Sequence, residues 1–431
     1  MKIDFYNRRL WLAAIALMAM MLAACSDDKD NPTPIPPDPV EQRLAEMTLR
    51  EKVGQMFIIR PEALRSDMGD MHDVVDNAMT QLTSDMTATD NAYPAGGIIL
   101  FAHNIFDPNQ ITTFTKQLHT LPDDPLLCID EEGGRVARIG RNPAFDVPRF
   151  ESMGAVGATG NPDEAQNAGT EIGSYLRYYG FDIDFAPVAD VNTNPNNVVI
   201  GNRAFSDDPV VAAKMVVAFL TGLSNKRVVG CLKHFPGHGD TQADTHYGYA
   251  ETQKTWNDLL NCEMVTFMAG IRAGAPFIMT AHIAAPNVTG NSDPATMSSV
   301  ILKDKLRGEL GFNGIIITDM ADANGTVYMS CVDGIMAGTD IWLSSGKDHS
   351  FMAYRGNAAV VNAMREACKR VLYNVCNYNA VMNGYSANTQ IVRVYTWWEI
   401  ALISALAAFT LLTAASVVML CLADRQRRRK A

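Results

Sequence analysis

The sequence predicts an α/β protein built as a (β/α)8 TIM-type barrel, and three observations carry that expectation. From Glu41 to about Gly384, short apolar runs alternate with helix-patterned stretches. The runs are apolar throughout instead of alternating with polar residues, as strands are when both faces of a parallel sheet are covered. Polar residues also stand where several runs end: Asp130, Lys233-His234, His282 and Asp319. A barrel gathers its chemistry at the C-terminal ends of its strands. An open, doubly wound sheet is the other architecture that this alternation allows.

The strands are expected at Gly96 to Phe101, Pro125 to Asp130, Ile183 to Pro187, Val228 to Lys233, Phe277 to Thr280, Gly314 to Asp319 and Ile341 to Leu343. Helical patterns fall between them at Asn161 to Tyr178, Pro209 to Ser224, Leu259 to Ala273 and Val300 to Leu310. The 431 residues suffice for one large core, and 48% hydrophobic with 19% charged residues describes a folded chain. A net charge of −11 argues against nucleic acid as a partner, because phosphate binding wants a basic surface. That acidity fits a soluble, self-repelling surface.

The two ends are set apart from the barrel domain, residues 41–384. Lys2, Arg8 and Arg9 precede an apolar run from Leu10 to Ala24, the pattern of a secretory signal over residues 1–25. Leu22-Ala23-Ala24-Cys25 resembles the bacterial lipobox, which implies cleavage before Cys25 and its acylation. The acidic Ser26 to Asp30 is similar to the sorting signal of surface lipoproteins in Bacteroidetes, and residues 26–40 read as a proline-rich tether. Residues 385–399 form a second linker, and the uncharged stretch 400–423 is long enough to cross a bilayer of about 30 Å hydrocarbon thickness. Trp397 and Trp398 flank it on one side and the basic tail 424–431 on the other, an arrangement that puts the tail in the cytoplasm and the domain outside. The expected location is the cell envelope of a Gram-negative bacterium, periplasmic or surface side, held by this helix and by lipid on Cys25. A transmembrane helix suits the inner membrane and an acid-flagged lipid the outer, and both remain open.

Apart from Cys25 and Cys421, the cysteines are Cys128, Cys231, Cys262, Cys331, Cys368 and Cys376, scattered without paired spacing. That is neither a disulfide framework nor a zinc pattern, and buried small hydrophobes are expected.

Chemistry concentrates in Lys233-His234-Phe235-Pro236-Gly237-His238-Gly239-Asp240, followed by Asp244-Thr245-His246. Glycine and proline break this run, so it reads as a strand end entering a loop. A histidine near Asp244 can give and take protons close to neutrality, and that describes His246. His234, His238, Asp240, Asp244 and His246 are also metal-ligand types, but no helical His-x-x-x-His pair is present and two glycines interrupt the loop. No metal or cofactor is expected. Asp319 closes the apolar run Gly314 to Thr318, and as a nucleophile it could attack an electrophilic carbon.

The segment Lys233 to Gly239 with Asp244-Thr245-His246 closely resembles the signature of glycoside hydrolase family 3, in its β-N-acetylhexosaminidase branch. Glu51 to Phe57, Asp130 to Val136, Gly201 to Phe205, Pro294 to Ser298 and Leu310 to Asp319 match that family in the same order. The resemblance implies retaining hydrolysis of terminal β-linked N-acetylglucosamine from glycans or peptidoglycan fragments, through a covalent glycosyl-enzyme. It casts Asp319 as nucleophile, His246 as general acid/base and Asp244 as its partner. Asp130, Arg138, Arg203, Lys233 and His234 would bind the sugar. A β-glucosidase or phosphorylase using the same intermediate, or a weakly catalytic membrane-anchored glycan-binding protein, are the alternatives. The chain departs from the family pattern at Met320 to Gly325, in a segment to Gly334 that looks shortened, and at Glu131, where glutamine is common.

Overall fold

Eight short parallel strands make one ring in chain order: β1 (Phe57–Ile59), β2 (Gly97–Leu100), β3 (Leu126–Ile129), β4 (Ile183–Asp184), β5 (Val229–Phe235), β6 (Phe277–Thr280), β7 (Ile315–Thr318) and β8 (Trp342–Ser344). The structure is a computed structural model that describes residues 39–66, 78–92, 94–241, 250–321, 329–344 and 357–382, together with Ser416. Neighbours pair in register, from Phe57 with Trp342 round to Ile317 with Met279. A parallel bridge between Ile317 and Ile341 brings the last two strands together. The closed order distinguishes the barrel from an open doubly wound sheet.

Alternate strand residues serve two separate cores. Ile58, Ile99, Cys128, Ile183, Cys231, Met279, Ile315, Ile317 and Leu343 form a cluster among themselves, which fills the barrel interior. Phe57, Ile98, Leu100, Leu127, Leu232, Ile278 and Ile316 join the cluster that contains the helical side chains. Each strand therefore needs apolar residues on both faces, which is why its sequence does not alternate. The strand β1 is absent from the sequence-based expectation. Only three residues long, it sits between the helix Leu49–Gly54 and the turn Pro61–Leu64, and pairing on both sides is what makes it a strand.

The outer layer is α1 (Ser84–Ala92), α2 (Pro108–Leu118), α3 (Pro162–Tyr178), α4 (Pro209–Asn225), α5 (Glu263–Arg272), α6 (Val300–Glu309, wound with π-type hydrogen bonds), α7 (Cys331–Ala337) and α8 (Ala358–Met382). Three of them start alike, on Asp107-Pro108, Asn161-Pro162 and Asp208-Pro209. The polar side chain accepts hydrogen bonds from the first free amides while proline occupies the first turn, where no amide hydrogen is needed. The expected helix from Leu259 to Ala273 is two helices, Trp256–Asn261 and α5, because Cys262 takes a non-helical backbone (φ −132°, ψ −85°).

Cys128, Cys231 and Cys368 are buried free thiols, Cys331 is buried, and Cys262 is a free thiol that is half-buried. Among the described residues no helix is long and apolar enough to cross a membrane. The expected span at 400–423 lies outside those residues save Ser416, and the expected signal and Cys25 lie outside them altogether.

Helices α3 and α4 meet through glycines. A β-carbon on Gly169 would lie 2.3 Å from the Phe219 carbonyl oxygen, and one on Gly222 would lie 2.3 Å from that of Gln166. Both obstacles are backbone, so the helices would have to separate. We predict that Gly222→Val lowers unfolding free energy by about 1–3 kcal/mol or more, measured by urea titration with unchanged far-UV circular dichroism before the transition.

Candidate active site

The strand ends β3 to β7 converge on a buried network of charges. The centre is Lys233 on β5, only 2% exposed, whose ammonium lies 2.8 Å from Asp130 Oδ1 and 2.7 Å from Glu132 Oε1. Asp130 follows β3 directly, and its Oδ2 accepts from Arg138 Nη2 at 3.0 Å. Glu132 lies in the hairpin strand Glu131–Gly133 and receives two bonds from Arg203, Nε at 2.8 Å and Nη2 at 2.7 Å. Such a fork holds the guanidinium plane fixed. Arg203 closes the turn Gly201–Arg203 that follows β4.

The next side chain on β5 is tied from behind. Asp190 is wholly buried and accepts from His234 Nδ1 at 2.7 Å and from the His234 backbone amide at 3.2 Å. Nδ1 therefore carries a proton, and Nε2 faces Arg203 Nη2 at 3.4 Å. The other Asp190 oxygen takes the His238 amide at 2.7 Å, so one carboxylate positions two turns of the loop. The Lys233–His234 and Phe235–Pro236 peptide bonds are cis.

Burial works against every charge here, and the partners decide the outcome. It pushes the Asp130 carboxyl up, but Lys233 and Arg138 outweigh it and hold the group below its ordinary range. Burial likewise opposes the Glu132 anion, and Arg203 with Lys233 bring that group far below a usual glutamate. Burial lowers the Lys233 and Arg203 cations, while the facing carboxylates raise both above their ordinary values. Asp190 is pushed up by burial and brought below its ordinary value by His234. Asp184, on β4 beneath this layer, has one oxygen without a partner among the described residues, and burial raises it well above its ordinary value.

Asp319 follows β7, half-buried, with its amide on the Thr280 carbonyl at 3.0 Å and its Oδ1 accepting from the Met320 amide at 2.7 Å. Its charge reaches both Arg203 and His238. The residue after it is held by His282. Nε2 of His282 donates to the Met320 carbonyl at 3.1 Å, leaving Nδ1 to accept from Thr296 Oγ1 at 2.9 Å. The Pro294 to Ser298 motif thus enters the site through Thr296, and the Met320 departure keeps its backbone anchored.

Five of the expected residues, Asp130, Arg138, Arg203, Lys233 and His234, form one hydrogen-bonded network, and Asp319 stands within its field. Asp244 and His246 lie outside the described residues. Two members were missed: Glu132, which joins Lys233 to Arg203, and Asp190, which orients His234. Asp130 and Asp319 directly follow their strands, whereas Asp190 comes after β4 has ended at Asp184 and beyond the isolated Val188–Lys233 bridge, so the strand-end pattern passes over it. Glu131 instead turns away, accepting from the amides of Arg138, Ile139 and Gly140 at 2.6–2.9 Å and from the Tyr175 hydroxyl at 2.8 Å. Its departure from glutamine changes a hairpin support rather than the network. Among the described residues no group of three or more histidines, cysteines or acids could hold a metal ion.

An eight-stranded parallel barrel with paired acids and cations at its C-terminal face is an architecture of enzymes that handle polar ligands. The sequence matches the glycosyl hydrolase family 3 N-terminal domain over residues 48–375, and the chain belongs to that family. It is 38% identical over 288 residues to a beta-hexosaminidase A of Pseudoalteromonas piscicida, covering 62% of this chain and 48% of that protein. A beta-hexosaminidase of Nitrosomonas eutropha is 33% identical over 65% of this chain and 74% of its own length. A family 3 beta-N-acetylglucosaminidase of a Paenibacillus strain superposes with a TM-score of 0.64 at 28% identity, covering 81% of this chain and 65% of that one. NagZ of Neisseria gonorrhoeae, in complex with N-trifluoroacetyl-D-glucosamine, gives 0.58 at 27% identity over 72% of this chain and 96% of that one. The chain spans about half the length of the Pseudoalteromonas protein.

The direction of the shifts sets a pH dependence. Asp130 and Glu132 ionise more readily in the folded chain, so their contribution is complete above the unfolded values of 3.8 and 4.5 and is lost as pH falls through the lower folded values. Removing Arg203 leaves Glu132 buried with one cation fewer. We predict that Arg203→Met costs about 3–5 kcal/mol at neutral pH, with the deficit shrinking as acidification protonates the Glu132 that has lost one of its two cations. Urea midpoints of both proteins from neutral to acidic pH measure it.

Proposed function

We propose that the protein is a retaining exo-β-N-acetylglucosaminidase that removes terminal β-linked N-acetylglucosamine from glycans or peptidoglycan fragments. The observation that carries this reading is the fixed array of Asp130, Arg138, Arg203, Lys233 and His234 beside the Asp319 carboxylate, in a chain of this family. A sugar ring offers hydroxyls all round, and an array of preset donors and acceptors orients it without reorganising.

In the proposed reaction, Asp319 attacks the anomeric carbon while His246 protonates the departing glycosidic oxygen. The C–O bond to the aglycone breaks and an ester to Asp319 forms. Water then attacks the same carbon, His246 takes its proton, and Asp319 is released, so configuration is retained. Retaining enzymes usually use two carboxylates about 5–5.5 Å apart. A histidine in the second role needs Asp244 to stabilise its cation. Arg203 places a fixed positive charge whose field reaches Asp319.

We further propose that the domain is exported and held at the envelope by lipid on Cys25 and by the apolar stretch 400–423. Membrane fractionation with protease shaving of intact cells tests this, and recovery of the full chain in the soluble cytoplasm would reject it.

The activity is tested with full-length protein in detergent. An aryl β-N-acetylglucosaminide should turn over faster than the aryl β-glucoside, and a preference for the glucoside would favour the β-glucosidase alternative. Asp319→Ala should reduce kcat by at least about 10³-fold, and His246→Ala by about 10²–10⁴-fold on a substrate whose leaving group needs protonation. Wild-type activity in Asp319→Ala would remove the nucleophile assignment.

A further inference from the structure

The chain leaves the network at Thr241 and returns at Ala250, and both ends are fixed. On the departing side, the His238 carbonyl accepts from Asn197 Nδ2 at 2.7 Å and the Thr241 carbonyl accepts from Asn194 Nδ2 at 3.1 Å. Gly237 has φ 124°, and a β-carbon there would lie 2.3 Å from Glu263 Cγ. Gly239 is pressed on the Val191 carbonyl, 1.8 Å from where its β-carbon would be. His238 itself is buried, its Nδ1 on the Thr241 hydroxyl, and so shapes the loop from within. On the returning side, Ala250–Glu251 pairs in parallel with Ile283–Ala284, beyond β6, and the Thr252 amide bonds the Ala284 carbonyl at 2.9 Å.

A polar cluster joins these two ends. Asp240 Oδ2 accepts from the Thr252 hydroxyl at 2.6 Å and lies 3.9 Å from the Lys254 ammonium. Lys254 is in turn bonded to Glu263 Oε1, at the start of α5. Thr252 is 1% exposed and Glu263 fully buried. Asp240 Oδ1 and Glu263 Oε2 are buried without a partner among the described residues. Packing two carboxylates, the Glu263 one fully buried and the Asp240 one partly so, around one ammonium is a poor way to gain stability, since desolvation offsets most of the attraction. It is a good way to fix geometry.

We infer that Asp240, Thr252, Lys254 and Glu263 are positioning residues for proton transfer: a cross-tie that holds the two ends of the 241–250 segment at a set separation and so aims Asp244 and His246. This rests on the reading of His246 as acid/base. Fixing both ends of a short segment cuts the conformations open to it, and a misplacement of about 1 Å in a reacting group can cost about 10²-fold.

The test compares two substrates in the full-length protein: a dinitrophenyl N-acetylglucosaminide, which departs without protonation, and a phenyl or alkyl one, which requires it. Thr252→Val deletes one hydroxyl at constant shape, and Asp240→Ala removes the joint. For both variants, kcat/KM on the phenyl substrate is expected to fall at least about ten-fold, while that on the dinitrophenyl substrate stays within about three-fold. Azide, which needs no base to attack the glycosyl-enzyme, is expected to raise dinitrophenyl turnover in the variants and not in the wild type. An equal loss on both substrates, or no loss, overturns the inference. His246→Ala separates it from the underlying reading. If His246→Ala shows the leaving-group selectivity and the cross-tie variants do not, only the inference fails. If His246→Ala shows none, the acid/base assignment fails and the inference with it.

Discussion

The whole site hangs on burying one lysine. Lys233, 2% exposed, has lost its water and is kept charged by Asp130 and Glu132 on either side. An isolated ammonium would not survive there as a cation. Because it does, the two acids are fixed as anions, Arg203 is drawn on to Glu132 and Arg138 on to Asp130. The chain of alternating charge thereby sets the orientation of groups from β3, the turn after β4, and β5. Neutralising any one member leaves its neighbour buried with one opposite charge fewer, so the network is held as a unit.

Beneath this polar layer the barrel is filled with apolar side chains, and the boundary is sharp. On β5, Cys231 belongs to the interior core while Lys233, two residues on and facing the same way, belongs to the site. Leu232 and Phe235 pack outward against the helices. One strand thus anchors the loop to both cores before it turns at Gly237. Asp190 and Asn197 then bond that loop's backbone, which explains why His238 and Asp240 serve its shape.

What belongs to the family and what belongs to this chain separate along the same line. The paired acids, the arginines and the Lys233-His234 step lie where the family's motifs lie. The departures at Glu131 and Met320 fall on supports: the Glu131 carboxylate accepts from the amides of Arg138, Ile139 and Gly140 just after the hairpin and from the Tyr175 hydroxyl on α3, and Met320 is held through its backbone by His282. At Met320 the contact with His282 uses a main-chain atom, so it does not depend on the identity of that side chain.

The sequence by itself pointed to the barrel and most of its strands, and it named residues that the structure brings into one network. Continuous apolar runs report burial on both faces, and a charged residue ending such a run reports the barrel mouth. Asp130, Arg138, Arg203, Lys233, His234 and Asp319 could all be named in advance, through motif order and strand ends. It did not disclose β1, since three apolar residues have no period and become a strand only between two neighbours. It did not disclose Glu132 or Asp190 as members of the site, because a carboxylate's partner is fixed by distance in space and not by spacing in the chain. Nor did it decide that Asp240 faces Thr252 and Lys254, twelve and fourteen residues on. Those pairings exist only once the ring closes and brings separate strand ends within a hydrogen bond of one another.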